Sequence, residues 1–266
     1  MTTAKPPDWG GEPGAFWAAN DLRYDTMLAP LTTHLLDAAA LTPADRVLDI
    51  GCGCGNTSRL AARQAADVLG ADLSHAMLAR ARQRTEEAGL TNVRFVHADA
   101  QTTPFEPVDV VMSQLGVMFF EDPAAAFANL RRAGGRLAFL CWQRPELNEK
   151  RMLLREAFGP YVDLPPPRTT RGALSLADPG HVRSLLTAAG FTEVELRDVR
   201  EPLPDGRDAA DSVDFALAEP TTAKWAAAAG PENARRAAEV LRAAYRERET
   251  PEGVLLVAAA WLVTAR

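Results

Sequence analysis

Cysteine and histidine are scarce in this chain, positive charge is in deficit, and no long apolar run occurs; each shortage excludes something. Only 3 cysteines occur among 266 residues, and two of them, Cys52 and Cys54, share one glycine turn, too close together for an unstrained structural disulfide. A disulfide-built fold is excluded, and a reducing cytoplasm is the expected compartment. The 4 histidines, His34, His75, His97 and His181, stand far apart, and none is marked by its setting as a general base. A net charge of −6 argues against affinity gained by neutralising phosphates, so nucleic acid is not the expected partner. The longest apolar run, Val254 to Val263, is too short to span a bilayer, and no basic, apolar and small-residue sequence opens the chain. A soluble protein away from membranes is expected; the oligomeric state is left open.

What the chain does have is 47% hydrophobic residues, enough for one large α/β domain with or without a small cap. Its organising stretch is VLDIGCGCGN, Val47 to Asn56. Val47, Leu48 and Ile50 suit a parallel strand covered on both faces, and Gly51, Gly53 and Gly55 then break it. Asn56 is expected to cap a helix from Thr57 to Ala66, whose first N–H groups open on a crevice above the strand ends. The turn reads G-x-G-x-G. The dinucleotide fingerprint G-x-G-x-x-G would need a glycine where Asn56 stands, so an NAD-dependent oxidoreductase fails on spacing. Asp49, a carboxylate inside the strand, suits a cationic ligand, and glycines without Cβ let the backbone lie against a ribose. The competing reading is a turn that serves strand-to-helix geometry alone.

This stretch resembles motif I of the class I S-adenosylmethionine-dependent methyltransferases. Over about Phe16 to Arg266 the order of elements is similar to that family, closest to its UbiE/MenG-like group, to which GVMFF, LAFLCW and the terminal WLVTAR also point. The resemblance implies a Rossmann-like sheet of seven strands, mostly parallel with the last antiparallel, S-adenosyl-L-methionine as cofactor and S-adenosyl-L-homocysteine as product. Asp67 to Leu73 reads as the second strand. Its Asp72 lies about twenty residues beyond Gly51, the usual offset for a ribose-binding acid; the plainer alternative is a helix-start residue. Ser74 should cap the next helix, with Met77, Leu78 and Ala81 inward and Arg80, Arg82 and Arg84 in water. Beyond a third strand, Val93 to His97, Asp99 and Ala100 match the positions that in this family meet the adenine. Gly51, Cys52, Gly53, Leu73, Met77, Ser113 and Tyr24 complete the expected cofactor contacts. One departure is Cys54, where the family commonly has threonine or serine; Cys54 is not expected to act as a nucleophile.

The fourth strand, Val108 to Ser113, leads into Ser113–Phe120, which should border the acceptor, with Gln114, Met118 and Trp17 as contacts. The N/D-P-P-Y/F element of enzymes acting on base or amide nitrogens is missing there, which argues against those acceptors. Helical spacing from Phe16 to Leu36 predicts amphipathic helices, and the resemblance implies that residues 1–43, the first eight or so loose, form a lid over both ligands; Trp17 and Tyr24 are either roof or core. The methyltransferase domain then covers residues 44–266, with helical insertions at about 144–177, including the Pro165–Pro167 cluster, and 204–250. Strand six is expected over Val194–Val199 and the last strand over Gly253–Thr264. The implied activity is in-line methyl transfer to a small-molecule oxygen, nitrogen or carbon, with catalytic residues unassigned and no metal. The alternative is a protein of the same fold that binds the cofactor without transferring methyl, such as a cyclase.

Overall fold

The computed structural model describes residues 8–166 and 171–266; the expectations for residues 1–7 and for Pro167 of the proline cluster lie outside the described residues. Two helices lead, α1 (Glu12–Ala19) and α2 (Asp21–Ala39). On α2 the residues Leu28, Leu31 and Leu35 share one face and are buried against the sheet. The repeat that follows is β1 (Arg46–Ile50), α3 (Asn56–Ala62), β2 (Asp67–Asp72), α4 (His75–Glu87), β3 (Val93–His97), β4 (Val110–Gln114), α5 (Pro123–Ala133) and β5 (Arg136–Trp142). Helix starts follow the side chains: Ser74 accepts from the Met77 N–H, Asp122 from Ala125, and Asp178 from Gly180 and His181 ahead of α7 (Pro179–Ala188).

The strands run in the order β3-β2-β1-β4-β5-β8-β6, where β6 is Glu195–Gly206 and β8 is Gly253–Ala265. All neighbours are parallel except β8, which is antiparallel to both β5 and β6. The chain travels outward from β1 to β3 and returns to β4 on the other side of β1, so the carboxyl ends of β1 and β4 flank a topological switch point, where such sheets open a crevice. Val47, Leu48 and Ile50 are almost wholly buried, each contributing roughly 1.5–3 kcal/mol of burial.

The seven-strand path, parallel but for β8, is the expected one, and the two-residue β7 (Glu249–Thr250) pairs with β8 beside it, making 8 strands among the described residues. Several other expectations needed correction. Asn56 is the first residue of α3, not its cap: Gly55 occupies the cap position at φ 75, and α3 ends at Ala62. Strand β6 does not stop at Val199 but continues through Pro202 and Pro204 to Gly206. Proline is tolerated there because β6 is the edge strand and needs no second partner for those positions. Arg80 and Arg84 do not simply face water; both reach the buried carboxylate of Asp21 at the start of α2, at 3.0 and 3.5 Å.

The extension of β6 and β8 carries a second, smaller core. Helices α6 (Glu149–Phe158), α8 (Ala209–Ala218), α9 (Pro220–Ala229) and α10 (Pro231–Arg246) bury Leu153, Phe158, Val213, Leu241 and Tyr245 against Val254 and Leu256. This helical layer supplies one wall of the crevice.

Candidate active site

The crevice is a cavity of about 790 Å³ lined by residues from Asp8 to Ala258. At one end lies the glycine turn, with Gly51 at φ +65 and Gly53 at φ +54, both in the left-handed region open to glycine. A Cβ on Gly51 would stand 2.8 Å from the Cα of Gly116, whereas one on Gly53 would meet only Met77 Sδ, at 3.6 Å, and would otherwise project into the cavity. Bare backbone therefore forms a cradle that any side chain would fill, which fits a ligand lying along the turn.

Asp72 ties this cradle together. Its Oδ2 accepts the Gly53 N–H and its Oδ1 the Ser74 N–H, each at 2.8 Å, and each oxygen keeps lone-pair capacity for a ligand hydroxyl. Burial pushes its carboxyl up from the ordinary value, opposed by the N–H groups of Ser74 and Gly53. Asp99 is fixed by Gln101, whose backbone N–H donates to Oδ1 at 2.9 Å, and Asp99, Ala100 and Gln101 line the adjoining wall. At the exit of β4, Leu115 sits at φ 59, an uncommon conformation for a side-chain-bearing residue, turning the chain across the cavity between Gln114 and Gly116.

All the residues singled out from sequence line this one cavity except Asp49 and Ser113. Asp49 is fully buried behind the turn: the hydroxyls of Thr57 and Ser58 donate to its Oδ2, both at 2.6 Å, while Oδ1 has no hydrogen-bond partner among the described residues. Burial pushes it up to about 6, against those two hydrogen bonds and with help from the charge of Asp72. Ser113 is also fully buried, since alternation along β4 turns Gln114 rather than Ser113 towards the cavity. The thiols are likewise raised by burial, Cys54 to about 12, so neither turn cysteine presents a thiolate. None of the four histidines lines the cavity; His34 pairs with Glu201 at 2.6 Å, and His75 stacks on His97. Among the described residues no metal-binding cluster of His, Cys, Asp or Glu occurs, and no helix is long and apolar enough to cross a membrane.

The other end is a chamber, walled in part by Trp17 and Tyr24 of the N-terminal helices. The Trp17 and Tyr24 rings stack at 3.7 Å, with Trp9 edge-on to both Trp17 and Phe119. Beside them Tyr24 Oη donates to Glu219 Oε1 at 3.1 Å, and Lys150 Nζ lies 3.0 Å from Asp205 Oδ1 and 3.6 Å from Glu219 Oε2. Burial opposes the lysine charge, but Asp205 and Glu219 outweigh it and hold Lys150 above the ordinary lysine value. Tyr24 is raised, first by burial and then by Glu219, so its phenol stays protonated. Asp25, on the cradle side of α2, was also missed; burial pushes it up to about 6, opposed by Arg59 at 3.4 Å. No motif marks these residues; only the amphipathic pattern of α6 and α10 hinted that a wall stood there.

Comparison with known proteins gives a consistent result. A family model described as a methyltransferase domain matches residues 47–134. An uncharacterized protein of Mycobacterium tuberculosis is 34% identical over 204 residues, covering 72% of this chain and 73% of that protein. The demethylmenaquinone methyltransferase of Clavibacter sepedonicus is 30% identical over 200 residues, covering 65% of this chain and 79% of that enzyme. Among solved structures, that of the (4+2)-cyclase SpnF superimposes with a TM-score of 0.56 at 18% identity, covering 99% of both chains, a likeness of fold.

Proposed function

The chain belongs to the class I S-adenosylmethionine-dependent methyltransferases, in the UbiE-like group, and from that premise we propose that it transfers a methyl group to a small organic acceptor seated in the aromatic chamber. The observation that carries this reading is the continuity of one cavity from the glycine cradle to the chamber walled by Trp17 and Tyr24. S-adenosylmethionine, its cofactor, supplies when bound a methyl group on a positively charged sulfur, open to displacement by an oxygen, nitrogen or carbon nucleophile. A demethylmenaquinone methyltransferase among the relatives supports a small-molecule acceptor.

In this reading Asp72 takes the ribose hydroxyls on the lone pairs left free by Gly53 and Ser74. Asp99 and the Ala100 N–H face the adenine, and Gly51, Cys52 and Gly53 give the chain its close approach. Asp25 and the unpartnered Oδ1 of Asp49 place negative charge near the turn, where an ammonium group would be stabilised. Asp49 acts from behind the turn. Helices α1 and α2, within residues 8–43, act as a lid that covers the chamber and excludes water; Gln114 and Met118 border the acceptor where β4 ends. Holding nucleophile and methyl carbon about 3–3.5 Å apart is worth up to roughly 7–11 kcal/mol, so positioning supplies much of the rate. Tyr24 and Lys150 both stay protonated, Tyr24 against Glu219 and Lys150 between two carboxylates, so neither serves as a general base as it stands.

The test has two parts. Calorimetry should show one S-adenosylhomocysteine bound per chain, and methyl-labelled cofactor should lose its label to some member of a panel of phenols, quinols and organic acids. Absence of binding refutes the reading. Binding with no label lost to any acceptor would favour a cofactor-retaining protein without transfer.

A further inference from the structure

Among the described residues, every charged side chain at the α6 end of the chamber has a partner except one. Glu149 accepts from Arg248 at 3.2 Å and from the Val257 N–H at 2.6 Å. Lys150 is neutralised by Asp205 and Glu219. Arg151, the next residue, lines the same cavity, is partly buried, and makes no hydrogen bond or ion pair among the described residues. A guanidinium carries five donors in a planar fork, and no nitrogen of Arg151 is sealed from solvent, so these donors stay open to an incoming anion.

We propose that Arg151 determines acceptor specificity by binding an anionic group, and that the acceptor is therefore a planar organic acid whose apolar body lies among the chamber tryptophans. The inference rests on the methyl-transfer reading above. Three further observations fit it. Burial and the neighbouring Arg155 both push the Arg151 pKa down and only Glu219 opposes them, the pattern of a cation lacking its counter-ion. The first turn of α6 lines the cavity with no side-chain cap, so its N-terminal dipole adds to the attraction for an anion. Trp9, Trp17, Trp142 and Trp225 supply apolar faces broad enough for a flat ring system. If the ionised oxygen is itself the atom methylated, it would need no general base: its bond to the methyl carbon would form as the carbon–sulfur bond breaks, with that electron pair leaving on S-adenosylhomocysteine.

The test uses 2-naphthoate and its uncharged counterpart 2-naphthamide as probes, titrated by tryptophan quenching with the protein saturated in S-adenosylhomocysteine. Wild type should bind the acid about tenfold or more tightly than the amide, the size of one charge-assisted hydrogen bond. Arg151→Gln should erase that preference while keeping its affinity for S-adenosylhomocysteine. Equal binding of the two probes by wild type, binding of neither, or an undiminished preference in Arg151→Gln overturns the proposal. Should the variant lose S-adenosylhomocysteine binding, the preference is read on wild type against salt, where added salt must weaken the acid and not the amide; salt-independent preference overturns it. Loss of S-adenosylhomocysteine binding by wild type instead sinks the methyl-transfer reading and is distinguished by that signal.

Discussion

The cradle end of the cavity is assembled mainly from the stretch Ile50 to Gly116, with Asp25 added from α2, whereas the chamber end draws on Trp9 and Trp17, Lys150 and Arg151, Asp205, Glu219 and Val257. In the cradle each residue is fixed by a neighbour in sequence or by the next strand, as Asp72 is by Gly53 and Ser74. In the chamber the contacts span most of the chain, and they hold only because β6 and β8 extend beyond the sheet and carry the helical layer with them. Backbone geometry dominates the first region, and paired charge dominates the second. Perturbations should therefore act on cofactor affinity in one and on stability or acceptor binding in the other.

The largest expected effect is at the turn. Gly53→Val places a branched side chain at φ +54 and in the cavity, and should cost about 3 kcal/mol or more of S-adenosylhomocysteine affinity by calorimetry while leaving the chamber able to bind naphthoate. Retained affinity would erase the distinction between the two ends. Next, Lys150→Met leaves Asp205 buried without its cation; urea unfolding should show a loss of about 3 kcal/mol, the lower end for a buried pair because the lysine side chain keeps 22% exposure. Cofactor affinity should barely move, and an unfolding midpoint equal to wild type would mean that the chamber charges are not held by one another. Asp72→Ala should weaken S-adenosylhomocysteine binding by about 1.5–3 kcal/mol, part of it through the turn it supports; unchanged binding would remove Asp72 from the ribose.

The smallest effect is on pH. Asp49 and Asp25 are both raised to about 6 from an ordinary 3.8, so their protonated forms are favoured by folding. Their contribution to the stability of the ligand-free protein is complete below the ordinary carboxyl value and is lost as pH rises through about 6. A cationic ligand reverses the preference, and S-adenosylmethionine affinity should rise with pH across the same window, by at most about tenfold per unit for each group. Calorimetry at pH 5 and pH 7 checks this, and Asp49→Asn should flatten the response; a flat wild-type profile would place the ammonium away from both acids.

The same contrast explains what could be read from sequence. The strand, glycine turn and helix, the offset from Gly51 to Asp72, and Asp99 beyond β3 are local patterns, and the fold follows from their βα repeat. Errors arose where tertiary context overrides local rules. Strand six was expected to end at Val199 but runs on through Pro202 and Pro204, which sit on an edge, Gly55 displaced Asn56 from the cap, and Arg80 and Arg84 bind an aspartate on a helix fifty or more residues earlier in the chain. Asp49 read as a cavity residue because its strand position is right, but the hydroxyls of Thr57 and Ser58 hold it behind the turn. Of the Lys150, Asp205, Glu219 and Tyr24 network only Tyr24 was marked in the sequence, since four residues so far apart meet only after the helical layer has docked.

The most direct measurement is the crystal structure of the complex with S-adenosylhomocysteine. The expected result has the ribose on Asp72, the adenine against Asp99 and Ala100, and the sulfur facing the chamber of Trp17 and Arg151. A ligand bound with its sulfur turned away from that chamber, or lying outside the glycine cradle, would contradict the account.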